Sequence, residues 1–420
     1  MIAVPLTGPA MKAPPFQLPG EHFAAGIVFL AAAAVGAVLV APQLSAGAFP
    51  SPRVIGVTHL FTLGWITTSI MGALYQFLPV ALGESIRSVR AAHLTFGLYV
   101  LGVPLFVYGV VAGHPVAMMS GASAFGAGIL VFVANVAATL HRARRRGVTW
   151  WALTGALVYL VVTLVLGLTL AGNLWKGYLG AGRFMVLGVH LHIAVGGWVL
   201  LVIVGVAQKL LPMFLLSHGV GDRLARAAVA LIAAGAAWLA FLHHVLSAAL
   251  WRGAAVLMGV GLACFLAQAV LFYRHRHRPA LDPGMRLAAA GLVLLGLGLA
   301  LGETVVLMNV PARVWTAYVM AMVLGISLFV AALYYKIVPF LVWYHRFGPL
   351  AGKQPVPRVG ELYSARAANV AGILLFFGAT GITASVLFGH AALARIAAVV
   401  LTVGVLVEAS QMLLLARKRP

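Results

Sequence analysis

The chain contains twelve stretches that are apolar over about 20 residues or more, the length an α-helix needs to cross the hydrocarbon of a bilayer. Of its 420 residues, 63% are hydrophobic and only 8% are charged, which excludes an ordinary soluble domain. The stretches lie near 24–42, 55–80, 92–112, 116–140, 150–172, 184–213, 225–248, 254–273, 287–308, 313–341, 367–388 and 391–415. We therefore predict an all-α integral membrane protein with twelve transmembrane helices.

Most of the 28 Lys and Arg residues fall in the loops on the same side as both termini. The positive-inside rule makes this side the cytoplasm, so the pattern predicts a multi-pass protein of a bacterial-type inner (plasma) membrane with both termini cytoplasmic. Contact with the lipid bilayer and its anionic headgroups accounts for the net charge of +21, and no nucleic-acid partner is expected. The single cysteine, Cys264, excludes an intrachain disulfide.

An internal repeat relates the second and sixth stretches. HLFTLGWITTSIMGALYQFLPV begins at His59 and HIAVGGWVLLVIVGVAQKLLPM begins at His192, so that His, Gly-Trp, Gly and Pro coincide at one constant offset. The tenth stretch matches more weakly: KIVP, ending at Pro339, aligns with KLLP, ending at Pro212, and Val319 takes the place of the histidine. The pattern predicts a single membrane domain, 1–420, built as three pseudo-threefold four-helix arcs from internal repeats 1–146, 147–285 and 286–420.

Five histidines share one depth near the non-cytoplasmic ends of spans two, six and seven: His59, His190, His192, His243 and His244. An ionisable group is costly inside a membrane and is therefore a functional candidate, and neutral imidazole binds metal ions and haem iron. His190 and His192 are two residues apart, about 200° around a helix, so they cannot serve one site. A structural role stays open, in which each ring bonds a backbone carbonyl or a hydroxyl on the next helix.

Together these features resemble subunit I of the haem–copper oxidase superfamily, which also holds the large subunit of bacterial nitric oxide reductases. The resemblance covers the twelve spans, the histidine that opens span two, the His-x-His that precedes an apolar run into proline, and the His-His pair of span seven. It implies that His59 and His192 ligate a low-spin b-type haem and that His190 holds a second haem on the opposite helix face. It also implies that His243 and His244 face the second haem and help to hold copper or iron. The sequence departs from the family in carrying its His-x-His on span six instead of span ten.

Three charged residues near the same face extend the candidate site. Arg53 precedes the repeat proline Pro79 by the same number of positions as Arg313 precedes Pro339, and we expect both arginines to pair either with haem propionates or with lipid headgroups. Glu303 in span nine is expected either to donate protons to a metal site or to cap an outer loop.

The resemblance thus implies a membrane haem-binding oxidoreductase, similar to a cytochrome oxidase or nitric oxide reductase. Its cofactors would be one or two haems b, with copper or iron possible, and electrons would pass through a bis-His haem to a gas-binding haem that takes dioxygen or nitric oxide. Because Cys264 stands alone, the chain has no c-type haem attachment motif, so an electron-donor subunit or quinol is expected as a partner. Two alternatives stay open: a non-catalytic electron-transfer or sensory haem protein, and a copper, metal or solute permease that uses the outer histidines.

Overall fold

The structure is a computed structural model that describes residues 14–144, 146–242 and 248–420. It is 85% helical, and the described residues form no strand. Within these ranges, twelve helices are long and apolar enough to cross a membrane, which confirms the predicted all-α multi-pass fold. The twelve spans, numbered in chain order, are Gln17–Ser45, Pro52–Leu82, Val89–Ala112, Pro115–His141, Val148–Lys176, Gly180–Leu215, Arg223–Phe241, Ala249–Arg274, Pro283–Leu307, Ala312–Leu350, Ala365–Phe388 and Ala391–Arg417.

The bundle has two faces, which are named here by what lies at them. Because the number of spans is even, span 1 begins and span 12 ends at the same face, called the terminal face. Spans 2, 6 and 10 begin at the opposite face, and the histidines His59, His190 and His192 lie in the half of the bundle nearest to it. This opposite face is called the histidine face.

Spans 2, 6 and 10 form the centre of the bundle. In their most apolar window, 61%, 72% and 94% of the residues are buried, against at most 50% in each of the other nine spans. In each set of four, the first span packs against the second, and the third packs against the fourth. Span 4 then contacts span 5, span 8 contacts span 9, and span 12 contacts span 1, which closes the ring. This repeated order of neighbours is that of three four-helix arcs, while the repeat boundaries themselves stay a prediction.

Glycines allow the outer helices to pack closely, as is typical of helix pairs in membranes. A Cβ placed on Gly121 of span 4 would come within 2.7 Å of the carbonyl oxygen of Gly102 on span 3. A Cβ on Gly291 of span 9 would come within 2.9 Å of the carbonyl oxygen of Gly325 on span 10. Only glycine fits at these crossings without moving the helices apart.

Within the described residues, each of the three central spans contains a π-helix, which the sequence pattern did not predict. In span 10 it lies near the terminal face, at Trp343–Phe347, whereas in spans 2 and 6 it directly follows a histidine. The α-helix of span 2 changes to a π-helix at Leu60–Thr67, directly after His59, and that of span 6 changes at Ile193–Leu200, directly after His192. The two segments occupy equivalent positions in the internal repeat, because each follows its aligned histidine. A π-helix is rare and often marks a functional site, because its wider turn changes the direction of the side chains on either side.

Candidate functional site

Three cavities surround the central helices, one between each pair. Cavity A lies between spans 2 and 6, with walls from spans 3, 4, 5 and 10, and is lined among others by His59, Thr163 and His190. Cavity B lies between spans 6 and 10, with walls from spans 7, 8 and 9, and is lined among others by His192, Glu303 and Tyr318. Cavity C lies between spans 10 and 2, with walls from spans 1 and 11, and its lining is apolar apart from Thr58. The three cavities are thus arranged as the threefold repeat of the helices requires.

His59 enters cavity A from span 2. Its Nδ1–H donates a hydrogen bond of 2.8 Å to the carbonyl oxygen of Ile55, one turn earlier in the same helix. Since a carbonyl can only accept, this bond sets the ring tautomer and leaves the lone pair on Nε2 for a ligand. The ring packs edge-on against Phe106 of span 3, with 5.2 Å between the ring centroids, which holds its orientation.

His190 enters the same cavity from span 6. Its Nδ1 is buried and has no hydrogen-bond partner among the described residues. The hydroxyl of Thr163 on span 5 is likewise buried and unpaired among these residues. Leaving a buried polar group unpaired costs about 1–3 kcal/mol, and both atoms belong to residues that line cavity A. Gly167 makes room for the imidazole, because a Cβ there would lie 3.2 Å from Cε1 of His190.

His192 belongs to cavity B. Its Nδ1–H donates a hydrogen bond of 2.8 Å to the carbonyl oxygen of Gly188, the same arrangement that His59 has with Ile55. Its Nε2 lies 3.4 Å from the hydroxyl of Tyr318 on span 10, and its ring packs edge-on against Trp251 at 4.8 Å. His192 is therefore held rigidly, with its second nitrogen directed at span 10.

The structure places His59 and His190 in cavity A and His192 in cavity B, whereas the resemblance implies that His59 and His192 ligate one haem. The physical reason is the rotation of about 100° per residue along span 6, which puts His190 and His192 on opposite faces of the helix. One face lines cavity A and the other lines cavity B. Span 6 thus supplies one imidazole to each cavity, as the two-residue spacing predicts.

Cavity B also contains two groups that can exchange protons. Glu303, a candidate from the sequence, lines it beside Gly259. Tyr318 was not among the sequence candidates, although it precedes Val319, the residue aligned with His192 in the third repeat. In the sequence, the feature that could have pointed to Tyr318 as a site residue is therefore its position next to Val319.

The remaining predicted site residues lie elsewhere. Arg53 and Arg313 are exposed at the histidine face and line neither cavity A nor cavity B, so their expected role toward propionates stays a prediction. His243 and His244 lie outside the described residues. Within the described ranges, no three His, Cys, Asp or Glu side chains are grouped as they would be around a metal ion.

The donor set of cavity A is two imidazoles in an apolar chamber. Two imidazoles from two helices would suit a haem, which needs only two ligands from the protein, whereas a bare metal ion needs more. The unpaired atoms of His190 and Thr163 belong to residues that line this chamber, and Gly167 leaves room for the imidazole of His190. No family model matches the chain, and no curated protein matches it.

Proposed function

We propose that the chain is a membrane haem oxidoreductase in which His59 and His190 would hold a b-type haem in cavity A. The observation that carries this proposal is that the two imidazoles, from two central helices, line one apolar cavity. Haem b supplies a one-electron couple when it is bound there, and two histidine ligands saturate the iron, which suits electron transfer.

The residues around the two histidines favour this use. The hydrogen bond from His59 to Ile55 orients the ring and makes Nε2 a better electron donor to a metal. Apolar side chains of six spans exclude water and would so influence the reduction potential of a haem; they include Ile66, Phe125, Ile129, Leu160 and Leu164.

His192 in cavity B is the proposed residue that would hold a second haem, which would supply the site for dioxygen or nitric oxide. Tyr318 and Glu303 add a hydroxyl and a carboxyl to the cavity, and both groups can hold or deliver a proton. Copper or iron beside this haem would fall to His243 and His244, outside the described residues. A donor subunit or a quinol is proposed as the source of electrons.

Span 6 lies between the two cavities and lines both of them. His190 and His192 are two residues apart on this helix, and Val195 lines both cavities. Groups bound in cavities A and B would therefore be separated by a single helix. This arrangement favours passage of electrons from the saturated haem to the gas-binding site.

The first test is the visible spectrum of the detergent-purified protein, oxidised, reduced, and reduced with carbon monoxide. We expect the bands of a low-spin b-type haem, together with a carbon monoxide shift from the second haem. The low-spin bands should disappear in His59→Ala and in His190→Ala, while His192→Ala should lose only the shift. Low-spin bands that persist in both of the first two variants would refute the assignment of cavity A.

His22 offers a matched control. It is a buried histidine of span 1 whose Nδ1–H donates to the carbonyl oxygen of Leu18 at 2.8 Å, and its Nε2 also lacks a partner among the described residues. It lines neither cavity A nor cavity B, so His22→Ala should keep the whole spectrum. If the protein shows low-spin bands without a carbon monoxide shift, the non-catalytic electron-transfer or sensory function replaces the gas reductase. No haem at all would favour the permease.

A further inference from the structure

A larger cavity opens at the terminal face, remote from His59, His190 and His192. This terminal vestibule measures about 470 Å³ and is lined by the last turns of the central helices, by the segment between spans 8 and 9, and by the loop that follows span 10. Its polar or aromatic residues are Gln76, Phe77, Phe214, Arg278, Asp282, Tyr335, Lys336, Phe340 and Tyr363. Gln76 follows His59 on span 2 by about 25 Å of helix rise, so the vestibule is separate from cavities A and B.

The charged groups of the vestibule leave one positive charge in excess. Asp282 forms an ion pair with Lys336 and lies 3.5 Å from Nη1 of Arg278, so a single carboxylate is shared by two cations. Lys336 is only 11% exposed and lies over the ring of Phe214, with 5.3 Å from Nζ to the ring centroid. A partly buried cation that shares its counter-ion favours the binding of an anion.

Two neutral polar side chains of the vestibule have no partner among the described residues. Both the amide nitrogen and the amide oxygen of Gln76 are buried and unpaired, and so is the hydroxyl of Tyr335. Gln76 is 6% exposed and Tyr335 is 2% exposed, so bulk water does not satisfy them. Their N–H and O–H groups can donate to the oxygens of an anionic head group that Lys336 attracts.

A narrow apolar shaft continues from the vestibule into the centre of the bundle. The two spaces share Ala73, Phe77, Leu210 and Ile337, which places the entrance of the shaft between spans 2, 6 and 10. Beyond this entrance the shaft is lined by apolar residues, among them Ile70, Leu74, Val202, Val206, Phe329 and Leu333. Its polar residues are Ser69 and Tyr334, which hydrogen-bond each other at 2.8 Å.

We infer that the vestibule and shaft together bind an anionic amphiphile with a single inserted acyl chain. The carboxylate or phosphate head lies at Gln76, Tyr335 and Lys336, and the chain lies within the vestibule. Only the end of the chain enters the shaft, which measures about 60 Å³ and has room for a few carbon atoms. A polar, positively charged mouth that leads into a narrow apolar shaft matches the two halves of such a molecule. A free fatty acid and one chain of an anionic phospholipid share this chemistry. The inference does not depend on haem in cavity A.

The source of the chain can be identified by native mass spectrometry of the full-length protein extracted in mild detergent. Retained fatty acid and retained anionic phospholipid give different adduct masses. After delipidation, binding is measured with oleate and with its neutral methyl ester as probes. We expect one retained amphiphile per chain, and oleate to bind at least about tenfold more tightly than the ester, since hydrogen bonds to a charged head are strong.

Two variants locate the site. Gln76→Leu removes both unpaired amide atoms, and Ala73→Phe blocks the entrance of the shaft; each should weaken oleate binding by about tenfold or more. The matched controls are Gln43→Leu, a glutamine with a buried unpaired Oε1 near the histidine face, and Ala24→Phe on the exposed side of span 1. Both controls should bind as the unaltered protein does.

Three results would overturn the inference: no adduct and no oleate binding, equal binding of oleate and methyl oleate, or unchanged binding in Gln76→Leu. If Ala73→Phe is not monodisperse in size-exclusion chromatography, Gln76→Leu still decides the question. The haem spectrum of both variants should stay normal, so failure of this proposal is distinguishable from failure of the haem assignment.

Discussion

His59 and His192 occupy equivalent positions in the internal repeat, yet their rings line different cavities. Each donates Nδ1–H to the carbonyl oxygen four residues earlier at 2.8 Å, and each stands directly before a π-helix. Because the repeat relates each central helix to the next, equivalent residues on these helices line successive cavities. Two equivalent histidines therefore make two sites, and His190 supplies the second imidazole of cavity A.

The role of span 6 follows from this relationship. His190 and His192 give the helix one candidate ligand on each face, whereas span 2 has only His59 and the aligned position on span 10 is Val319. Cavity A thus receives two imidazoles, cavity B receives one from the central helices, and cavity C receives none. Two imidazoles in cavity A would saturate the iron of a haem there, whereas one imidazole in cavity B would leave the iron of a second haem able to bind a gas.

Gly167→Val should reduce haem binding in cavity A. A Cβ at this position lies 3.2 Å from Cε1 of His190, so a branched side chain pushes the imidazole out of place. Overpacking of this kind costs about 1–3 kcal/mol, or roughly five- to 150-fold in affinity. The measurement is the haem-to-protein ratio after purification. Gly155→Val on the same span is the control, since its Cβ meets Leu201 at an ordinary 3.4 Å; an equal loss in both variants would argue against a specific effect.

Tyr318→Phe should change cavity B alone. The substitution removes the hydroxyl 3.4 Å from Nε2 of His192 and leaves the aromatic ring in place. Because Nε2 of His192 has a single lone pair, the Tyr318 hydroxyl and the iron of a haem would compete for it. Removing the hydroxyl should therefore raise the affinity of cavity B for haem by about fivefold, the worth of one hydrogen bond, measured by the carbon monoxide shift, while the low-spin bands persist. Tyr334→Phe is a fitting control, because that hydroxyl bonds Ser69 and lines neither cavity A nor cavity B. Loss of the low-spin bands in Tyr318→Phe would contradict the separation of the two cavities.

The fold was predictable because its signals are strong and local. Twelve apolar stretches dictate twelve spans, and the alignment of His59 with His192 and of Pro79 with Pro212 indicates the repeat before any contact is known. The separation of His190 from His192 also needed nothing beyond the geometry of an α-helix. These conclusions depend only on length, hydropathy and rotation per residue.

The pairing of histidines was not predictable, because it depends on how each helix is rotated about its own axis. That rotation is set by packing, and here also by the π-helices after His59 and His192, whose wider turns shift the phase of the side chains. The resemblance placed His59 with His192 because the family carries its His-x-His on another span. Gln76 and Tyr335 were missed for a similar reason, since an unpaired buried group is recognised only once its neighbours are known.

Thr67→Val should weaken the contact between spans 2 and 6. The indole N–H of Trp198 donates to the hydroxyl of Thr67 at 3.3 Å, and both residues are buried. Valine keeps the shape but leaves the indole unpaired, which should lower the free energy of unfolding by about 1 kcal/mol. Thermal unfolding in detergent measures the change. Thr62→Val, whose hydroxyl bonds Thr58 in its own helix, should be nearly neutral; a similar loss there would show that the inter-helix bond is unimportant.

Asp282 is expected to stabilise the terminal face in two separable ways. Its Oδ1 accepts a hydrogen bond of 3.1 Å from the backbone N–H of Met285, which caps span 9, and its carboxylate pairs with Lys336 on span 10. Asp282→Asn keeps a capping oxygen and loses the charge, whereas Asp282→Ala loses both. Since a cap is worth about 1 kcal/mol, the alanine variant should unfold at a lower temperature than the asparagine variant.

The asparagine variant in turn should be less stable than the unaltered protein, because it leaves the largely buried ammonium of Lys336 without its counter-ion. Equal unfolding temperatures for the two variants would show that the cap contributes nothing, and an unchanged asparagine variant would show the same of the ion pair.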